Sequence, residues 1–205
     1  MALKQRTRSI FLNFPYDEEF RDLFLAYIAG VCSHGLTPRT TLEIVGGEQR
    51  LRRIADLVRS CRFSFHDLSR VEIDSREPAA PRFKMAFEAG LAVMDSLLSP
   101  RRPHTYFIFE TDHKRLQKSL SDLGGSDVYA HGGNAKGVLT QIGNALVHAK
   151  RRPTVKQMSG VLEAMRSRLG EIMQNANAET PFTARVFSDL VVFTNEIVKG
   201  QFSKP

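Results

Sequence analysis

The chain has 205 residues, 42% of them hydrophobic and 25% charged, which fits one globular domain with a short appendage and excludes a disordered or fibrous protein. Its net charge of +7 arises from 29 Lys and Arg residues against 22 Asp and Glu residues. Because the basic residues are spread along the sequence, with no aromatic interleaving and no zinc-finger spacing, we do not expect a nucleic-acid partner.

The sequence also limits where the protein works. No stretch reaches the roughly 18 consecutive apolar residues of a membrane span, and the basic N-terminal residues are not followed by the apolar segment of a secretory signal. Cys32 and Cys61 form no Cys-x-x-Cys pair, so we expect buried, reduced thiols rather than a zinc site or a disulfide framework. We therefore predict a cytoplasmic protein that does not bind membranes.

Short apolar runs alternate with amphipathic helical patterns over the first two thirds of the chain. The first helical pattern has apolar residues at 20, 23, 24, 27, 28 and 31, the spacing of one helix face. The predicted strands are 9–13, 36–45, 62–68, 105–109 and 127–130, and the predicted helices are 20–31, 51–58, 83–98, 116–123 and 135–149. This alternation predicts an α/β fold with a doubly wound, mostly parallel five-stranded sheet and helices on both faces.

The pattern changes after Pro153, where two predicted helices at 155–172 and 183–198 follow each other with no strand between them. We predict an α/β domain at 1–150 and a helical extension at 151–205 that forms a hairpin. The last helix therefore packs on its own domain or on a second copy, and we predict a homo-oligomer through this tail. Its apolar surface, larger than a free helix would expose, comes from Leu190, Val191, Val192, Phe193 and Ile197.

Ligands of open parallel sheets bind beyond the carboxyl ends of the strands. Strand alternation sends His66 and Asp67 to opposite faces of the sheet, so we expect His66 to point into the domain rather than to act in catalysis. The residues that follow the predicted strands are mostly polar and suit a sugar or a nucleotide: Asn13, Phe14 and Asp17, then Glu43 and the Gly46-Gly47 turn, then His66, Asp67 and Arg70, and finally Glu110.

The helix predicted at 83–98 carries Glu88 within the run Phe-Glu-Ala-Gly-Leu-Ala. Glu88 and Ala92 share a helix face. Gly90 costs about 1 kcal/mol of helix propensity, which predicts a close approach of another group to the backbone at this point. Two interpretations follow: Glu88 faces a ligand crevice, or Glu88 is an exposed residue on a helix that packs tightly through Gly90.

The pattern Phe-Glu-x-Gly-x-Ala at 87–92 resembles the catalytic helix of nucleoside 2-deoxyribosyltransferases and of their relatives with the Toll/interleukin-1 receptor (TIR) fold. Three further runs resemble an uncharacterised bacterial branch of this superfamily: IFLNFPYD at 10–17, HDLSR at 66–70, and SDLGGSD at 121–127 with His131. The resemblance covers roughly residues 8–150 and leaves the helical tail unmatched. The deoxyribosyltransferases usually have an Asp-Ser/Thr-Gly-like turn before the helix, and this chain has Pro-Arg-Phe-Lys at 81–84, which leaves the substrate class open.

The resemblance implies a TIR-like, flavodoxin-like domain that cleaves or transfers the N-glycosidic bond of NAD or of a nucleoside or nucleotide, in bacterial antiphage defence. The nucleotide is then a substrate, and neither a resident cofactor nor a metal is expected. Glu88 would stabilise the oxocarbenium-like state at the anomeric carbon or capture it covalently. The implied substrate contacts are Asn13, Phe14, Asp17, Glu43, Asp67 and Arg70.

Several of these residues have a structural alternative. Asn13 is equally a turn residue before Pro15, and Asp67 is equally a loop or capping aspartate. The Gly46-Gly47 turn and Arg50 at a helix start could hold a phosphate, although two glycines in a loop are common. For the whole domain, the alternative function is a non-catalytic module of the same fold that senses a nucleotide or assembles with partners.

Overall fold

The computed structural model describes residues 7–44, 46, 49–71, 73–74, 80–98, 104–121 and 127–202. A five-stranded parallel sheet has the order β2-β1-β3-β6-β7, and β4 and β5 form a separate antiparallel pair. The predicted α/β fold with a parallel five-stranded sheet is therefore confirmed. The strands are β1 (Thr7–Asn13), β2 (Thr37–Thr40), β3 (Cys61–Asp67), β4 (Ile73–Asp74), β5 (Ala80–Pro81), β6 (Thr105–Glu110) and β7 (Val128–Ala130).

Helices flank this sheet and continue beyond it in the chain. None of those within the described ranges has the length and apolar character needed to cross a membrane. The predicted strand at 36–45 is shorter in the structure, because a 3-10 helix at Thr41–Glu43 ends it. The α-helices are α1 (Arg21–Ser33), α2 (Arg50–Ser60), α3 (Phe83–Leu98), α4 (His113–Ser119), α5 (Ala135–Ala145), α6 (Val155–Asn175) and α7 (Ala184–Phe202).

The strand order indicates where a ligand would bind. Counting only the five strands of the large sheet, the order is 2-1-3-4-5, as in flavodoxin-like sheets, whose ligands bind where the order reverses between the first and third strands. At this point Asn13 ends β1 opposite His66 of β3. Asp67, the last residue of β3, lies opposite Phe109 of β6. The carboxyl ends of β1, β3 and β6 therefore adjoin one another.

The contacts divide the chain into two compact units, and the first comprises residues 1–15 and 39–132. In this unit α2 and α3 pack on β1 and β3. Apolar residues of α2 at 54, 57 and 58 form its buried face, as the helical spacing predicts. This packing holds α3 against the strands that end at the carboxyl edge of the sheet. The buried cluster between these elements contains Phe11, Leu57, Val58, Cys61 and Ala92.

The second unit comprises residues 16–38 and 133–205 and is built from α1, α5, α6 and α7. Residues 23–33 of α1 are all buried, because α5, α6 and α7 each pack on this helix. Cys32 of α1 is a free, buried thiol, as is Cys61 in the first unit, which confirms the prediction for both cysteines. α6 and α7 are the predicted C-terminal pair of helices. The boundary predicted at residue 150 falls between α5 and α6, which pack on each other, and it stays a prediction.

Candidate functional site

Glu88 of α3 is a buried carboxylate. Glu88 is only 2% exposed, and within the described part of the chain its Oε1 atom accepts no hydrogen bond. The ammonium group of Lys84, one helical turn earlier, lies 4.0 Å from Oε1. Burial raises the pKa of Glu88 to about 6, and the positive charges of Lys84 and Arg50 oppose this effect. The interpretation of Glu88 as an exposed surface residue is therefore wrong.

The small residues beside Glu88 have a different arrangement from the one predicted. Ala89 and Ala92 are fully buried, and Ala92 packs in the cluster that includes Phe11. Gly90 is exposed, and a Cβ atom built on it would meet nothing within 4 Å. The predicted close approach at Gly90 is therefore not made by the chain's own described residues, and the alanines provide the tight packing of α3.

Asn13 connects the carboxyl end of β1 to β3 and to α3. Its Nδ2 group donates to Nδ1 of His66 over 2.9 Å and to the carbonyl oxygen of Met85 over 2.8 Å. Both amide hydrogens are therefore used inside the protein. Because Met85 precedes Glu88 by three residues on α3, these bonds fix the helix turn that carries the carboxylate. Asn13 was predicted as a substrate contact, and in the structure its amide group acts as a positioning group.

His66 belongs to a buried chain of hydrogen bonds that runs along β3. Its Nε2 atom lies 2.8 Å from Oγ of Ser64, whose hydroxyl lies 2.8 Å from Nε2 of His104. The Nδ1 atom of His104 lies 3.1 Å from the carbonyl oxygen of Cys61. Burial lowers the pKa of His66 to about 3, and a positive charge on the neighbouring His104 ring would lower it in the same direction. The partners of His66 thus lie within the domain, as strand alternation predicts.

Asp67 is fully engaged by its own chain. Its Oδ1 atom accepts from the backbone N–H of Ser69 at 3.0 Å and from the Ser69 hydroxyl at 2.5 Å. Its Oδ2 atom lies 3.2 Å from Nε2 of His131, which follows β7, and both side chains are fully buried. The structural alternative for Asp67, a loop or capping aspartate, accounts for its two bonds to Ser69. The structure also brings His131 to the carboxyl edge of the sheet.

Glu110 is a second buried carboxylate at this edge. Its Oε2 atom accepts from the backbone N–H of Thr111 at 2.7 Å and lies 3.3 Å from Nε of Arg115. Its Oε1 atom has no hydrogen-bond partner among the described residues. Burial raises the pKa of Glu110, the Thr111 N–H and the charge of Arg115 lower it, and the negative charge of Asp67 raises it. The sequence pattern places Glu110 after its strand and assigns it no role. The signal that could have identified it is a carboxylate at the end of an apolar central strand.

Two predicted substrate contacts, Phe14 and Asp17, serve other purposes in the structure. Phe14 is buried in the core of the first unit rather than exposed to a crevice. Asp17 lies in the second unit, where its Oδ1 atom accepts from the backbone N–H of Phe20 at 3.0 Å and caps the 3-10 helix Glu18–Phe20. Arg70 is half-buried in the turn after β3. Phe14 and Asp17 are thus used by the fold itself.

Glu43 is also used locally. Its Oε1 atom accepts from the backbone N–H of Thr40 at 2.8 Å, and its Oε2 atom accepts from Nε of Arg39 at 2.6 Å. Thr40 and Glu43 together form a capping box, in which each side chain satisfies the backbone N–H of the other end of the turn. The carboxylate that was predicted to contact substrate therefore stabilises the 3-10 helix after β2.

Arg50 begins α2, where a phosphate site was predicted. Its Nη1 atom donates to the carbonyl oxygen of Ile44 over 2.9 Å, and its charge is near enough to Glu88 to lower the pKa of that carboxyl. Gly46 is exposed, and Gly47 lies outside the described residues. Of the predicted site residues, the structure thus brings Arg50 and Glu88 together from different helices, while Asn13 fixes the helix that carries Glu88.

No protein-family model matches the chain, and no curated protein matches it. The resemblance to deoxyribosyltransferases and TIR-like proteins therefore stays a prediction based on four motifs. Within the described ranges, no group of three or more His, Cys, Asp or Glu side chains is arranged to hold a metal ion.

Proposed function

We propose that the protein cleaves or transfers the N-glycosidic bond of NAD or of a nucleoside or nucleotide, with Glu88 as the catalytic carboxylate. The observation that carries this proposal is the burial of Glu88 with Oε1 left without a hydrogen bond inside the described chain. A buried polar atom without a partner costs free energy, so a fold retains one where another benefit offsets the cost. An acceptor reserved for a bound ligand provides that benefit.

The chemistry suits an ionised Glu88. When the bond between C1′ and the base nitrogen breaks, its electron pair goes to the base, and positive charge develops on the ribose ring. A carboxylate in a site that excludes water lowers this barrier by a few kcal/mol, or its oxygen bonds to C1′ until water or another acceptor displaces it. Because the pKa of Glu88 is about 6, the ionised form that both roles need predominates at neutral pH.

NAD fits this scheme better than an ordinary nucleoside. The ring nitrogen of its nicotinamide carries a positive charge, so the electron pair of the broken bond neutralises the leaving group and no proton donor is required. An ordinary base needs a proton on departure. Arg50 adds a cation at the N-terminus of α2, an arrangement that favours the phosphates of a dinucleotide. Nη1 of Arg50 is bonded to Ile44, and the guanidinium carries further N–H groups that could bind a phosphate.

The proposal includes the wider setting that the resemblance implies: a cytoplasmic enzyme of bacterial antiphage defence that self-associates through its helical tail. For the tail, α7 buries Val186, Leu190 and Val198 within its own unit and leaves Val192 exposed. Val192 is therefore the residue of α7 at which tail-mediated association is best tested.

The test is base release by the purified full chain from NAD and from a panel of nucleosides, followed by chromatography. We expect the wild type to release base and Glu88→Gln to lose about 10²-fold or more of the rate. Asp95→Asn is the matched control, because this carboxylate lies about 10 Å further along α3 and faces Arg59 at 3.8 Å. No release by the wild type over a wide range of protein concentration, or release unchanged in Glu88→Gln, would contradict the proposal.

The same experiment distinguishes the alternative function. If calorimetry detects NAD binding and no base is released at any protein concentration, the protein is a nucleotide-sensing or assembly module. The engagement of Asn13, Glu43 and Asp67 by their own chain is compatible with that outcome, since it leaves fewer side chains to orient a substrate. Loss of binding in Glu88→Gln would then assign this carboxylate to recognition rather than to catalysis.

A further inference from the structure

The outer face of α3 is apolar where a helix at a protein surface normally carries charges. Five large apolar side chains of this helix are each 54–72% exposed. Lys84 is the one charged residue among the exposed positions of α3. Scattered exposed apolar residues are ordinary, but a contiguous stripe marks an interaction surface. The exposed residues of α3 are Phe83, Lys84, Phe87, Gly90, Met94, Leu97 and Leu98, and we call the six apolar ones the α3 stripe.

Gly90 lies in the middle of the α3 stripe. A Cβ atom there would meet nothing within 4 Å, so the packing of the chain on itself does not require glycine at this position. Glycine nevertheless weakens a helix, because it loses more conformational freedom on folding than alanine does. Exposed glycines on a helix allow a second helix to approach the backbone closely. Gly90 therefore points to a helix of a partner molecule.

We propose that two copies of the chain pair through the α3 stripe, with their α3 helices antiparallel. In an antiparallel pair of identical helices, the residue numbers of any two facing residues add up to the same value. With a two-fold axis between Gly90 and Leu91, the α3 stripe of one copy therefore faces the α3 stripe of the other. Phe83 then faces Leu98 of the second copy, and Phe87 faces Met94, while Leu91 packs over Gly90. Four of the five bulky residues thus have an apolar counterpart, and Leu97 faces Lys84, whose aliphatic stem can cover it.

The surface beside α3 provides space for the second copy. A groove of about 130 Å³ between α2 and α3 is lined by Val58 of α2 and by Leu91, Met94 and Leu98 of α3, among others. In the antiparallel arrangement the two phenylalanines of the second copy arrive at Met94 and Leu98, on the side where this groove opens. An aromatic side chain that enters an apolar groove is the usual anchor of a protein interface.

The exposed area is sufficient for a specific dimer. Each phenylalanine has roughly 200 Å² of surface, so the two exposed ones provide roughly 250 Å², and Met94, Leu97 and Leu98 add a comparable area. A two-fold pair would then bury roughly 1,000 Å² or more with its neighbouring groups, the lower bound for a specific interface. This inference is independent of the proposed reaction, since it needs no ligand and no activity of Glu88.

The test is sedimentation velocity of the full chain from about 1 to 100 µM. We expect a concentration-dependent dimer that Phe87→Glu and Met94→Glu each weaken by roughly tenfold or more. Val147→Glu, after α5, is the matched control, because Val147 is apolar and 49% exposed, and Val192→Glu on α7 tests the helical tail separately. A wild type that stays monomeric, a dimer unaffected by Phe87→Glu, or dissociation by Val192→Glu alone would overturn the proposal, the last in favour of the helical tail.

Two further variants test the arrangement itself. Phe87→Lys combined with Met94→Glu in one chain places opposite charges face to face in both halves of an antiparallel pair, so the double variant should recover a dimer that each single variant loses. Gly90→Leu should raise the thermal stability of the monomer, because leucine favours helix, and yet weaken the dimer. If the double variant stays monomeric, or if Gly90→Leu leaves the dimer unchanged, the antiparallel pairing is wrong.

Discussion

The side-chain amide of Asn13 donates to Nδ1 of His66 over 2.9 Å, and this contact fixes the proton positions along a buried chain. His66 must then donate from Nε2 to Ser64, Ser64 to Nε2 of His104, and His104 from Nδ1 to the carbonyl oxygen of Cys61. Every group is satisfied while both rings are neutral. A proton added at Nδ1 of His66 would face an N–H donor, so the chain opposes protonation of this ring.

We expect the fold to lose stability in mild acid through His66. Its pKa is about 3 in the folded protein against 6.5 ordinarily. Since the folded-state pKa is lowered, the stabilisation is fully present above pH 6.5 and is lost as the pH falls towards 3. The free energy of unfolding should decrease by up to about 1.4 kcal/mol per pH unit in that range. Urea titrations at a series of pH values measure this slope.

His66→Gln separates this effect from other acid-sensitive groups. Glutamine does not titrate, so the variant should be less stable than the wild type at neutral pH, and the difference should narrow as the pH falls. His148→Gln, at an exposed position after α5, should follow the wild type throughout. If the free energies of unfolding of wild type and His66→Gln differ by the same amount at every pH, the neutral form of His66 is not the cause of the acid sensitivity.

Glu88 should reduce the stability of the protein at neutral pH. Its pKa is about 6 in the folded state against 4.5 ordinarily. Because the folded-state pKa is raised, the stabilisation is fully present below pH 4.5 and is lost as the pH rises through 6. A difference of about 1.5 in pKa corresponds to about 2 kcal/mol, so Glu88→Gln should exceed the wild type by about this amount at pH 8 and match it near pH 4. Urea unfolding at the two pH values measures the change.

The control for this prediction is Asp95→Asn, which removes a carboxylate that faces Arg59 at 3.8 Å and should give no gain at pH 8. If Glu88→Gln is more stable than the wild type and also loses base release, the Glu88 carboxylate serves function at a cost in stability. Equal stability of Glu88→Gln and wild type at pH 8 would show that Glu88 is better solvated or better paired than its burial indicates.

The sequence predicted the fold because its local signals agree with one another. The apolar run at 105–109 lies within β6, and the helical stripe that begins at residue 20 lies in α1 from residue 23 onwards. The predicted second strand was too long, although Thr40 and Glu43 have the spacing of a capping box, which is a sequence signal for a helical turn. That signal lies inside a segment of β-branched residues, which favour a strand.

The site was less predictable, because its contacts join residues far apart in sequence. The burial of Glu88 follows from the packing of α3 on the sheet, whereas helix periodicity assigned it only to the face shared with Ala92. Asn13 finds its partners in His66 and in Met85, and no local rule identifies a side chain on another strand or helix. Polarity at a strand end therefore predicts a substrate contact, whereas several of these residues, such as Asp67, complete hydrogen bonds of the fold.

Alanine at Gly30 should destabilise the second unit. A Cβ atom there would lie 2.7 Å from Cδ1 and 3.3 Å from Cγ2 of Ile142. Overpacking costs about 1–3 kcal/mol, which outweighs the gain of about 1 kcal/mol in helix propensity. We therefore expect Gly30→Ala to lower the free energy of unfolding by about 1 kcal/mol, measured by urea unfolding.

Gly143→Ala in α5 is the matched control, because nothing lies within 4 Å of its added Cβ atom and helix propensity alone should stabilise it by about 0.5–1 kcal/mol. Ile142→Val removes the nearer clashing atom, so it should restore stability in the Gly30→Ala background while destabilising the wild type by about 0.5–1.5 kcal/mol. Additive effects of Gly30→Ala and Ile142→Val would show that the two positions do not conflict.

Aspartate at Asn13 should reverse the pattern of donors at the carboxyl end of β1. The amide now donates to two acceptors, Nδ1 of His66 and the carbonyl oxygen of Met85. A carboxylate there would repel the Met85 oxygen and favour a proton on Nδ1, so the pKa of His66 should rise from about 3 towards its ordinary value or beyond. Nitrogen-15 NMR of the histidine rings measures both the tautomer and the titration.

Asn13→Ala provides the comparison, because it removes the donor without adding charge. It should leave Nδ1 of His66 and the Met85 carbonyl with one partner fewer and destabilise the fold by about 1–3 kcal/mol. Asn13→Asp should destabilise it further at neutral pH and approach Asn13→Ala in acid, where the new carboxyl is protonated. If the wild-type ring already carries its proton on Nδ1, Asn13 is not its donor and the direction of the whole chain is reversed.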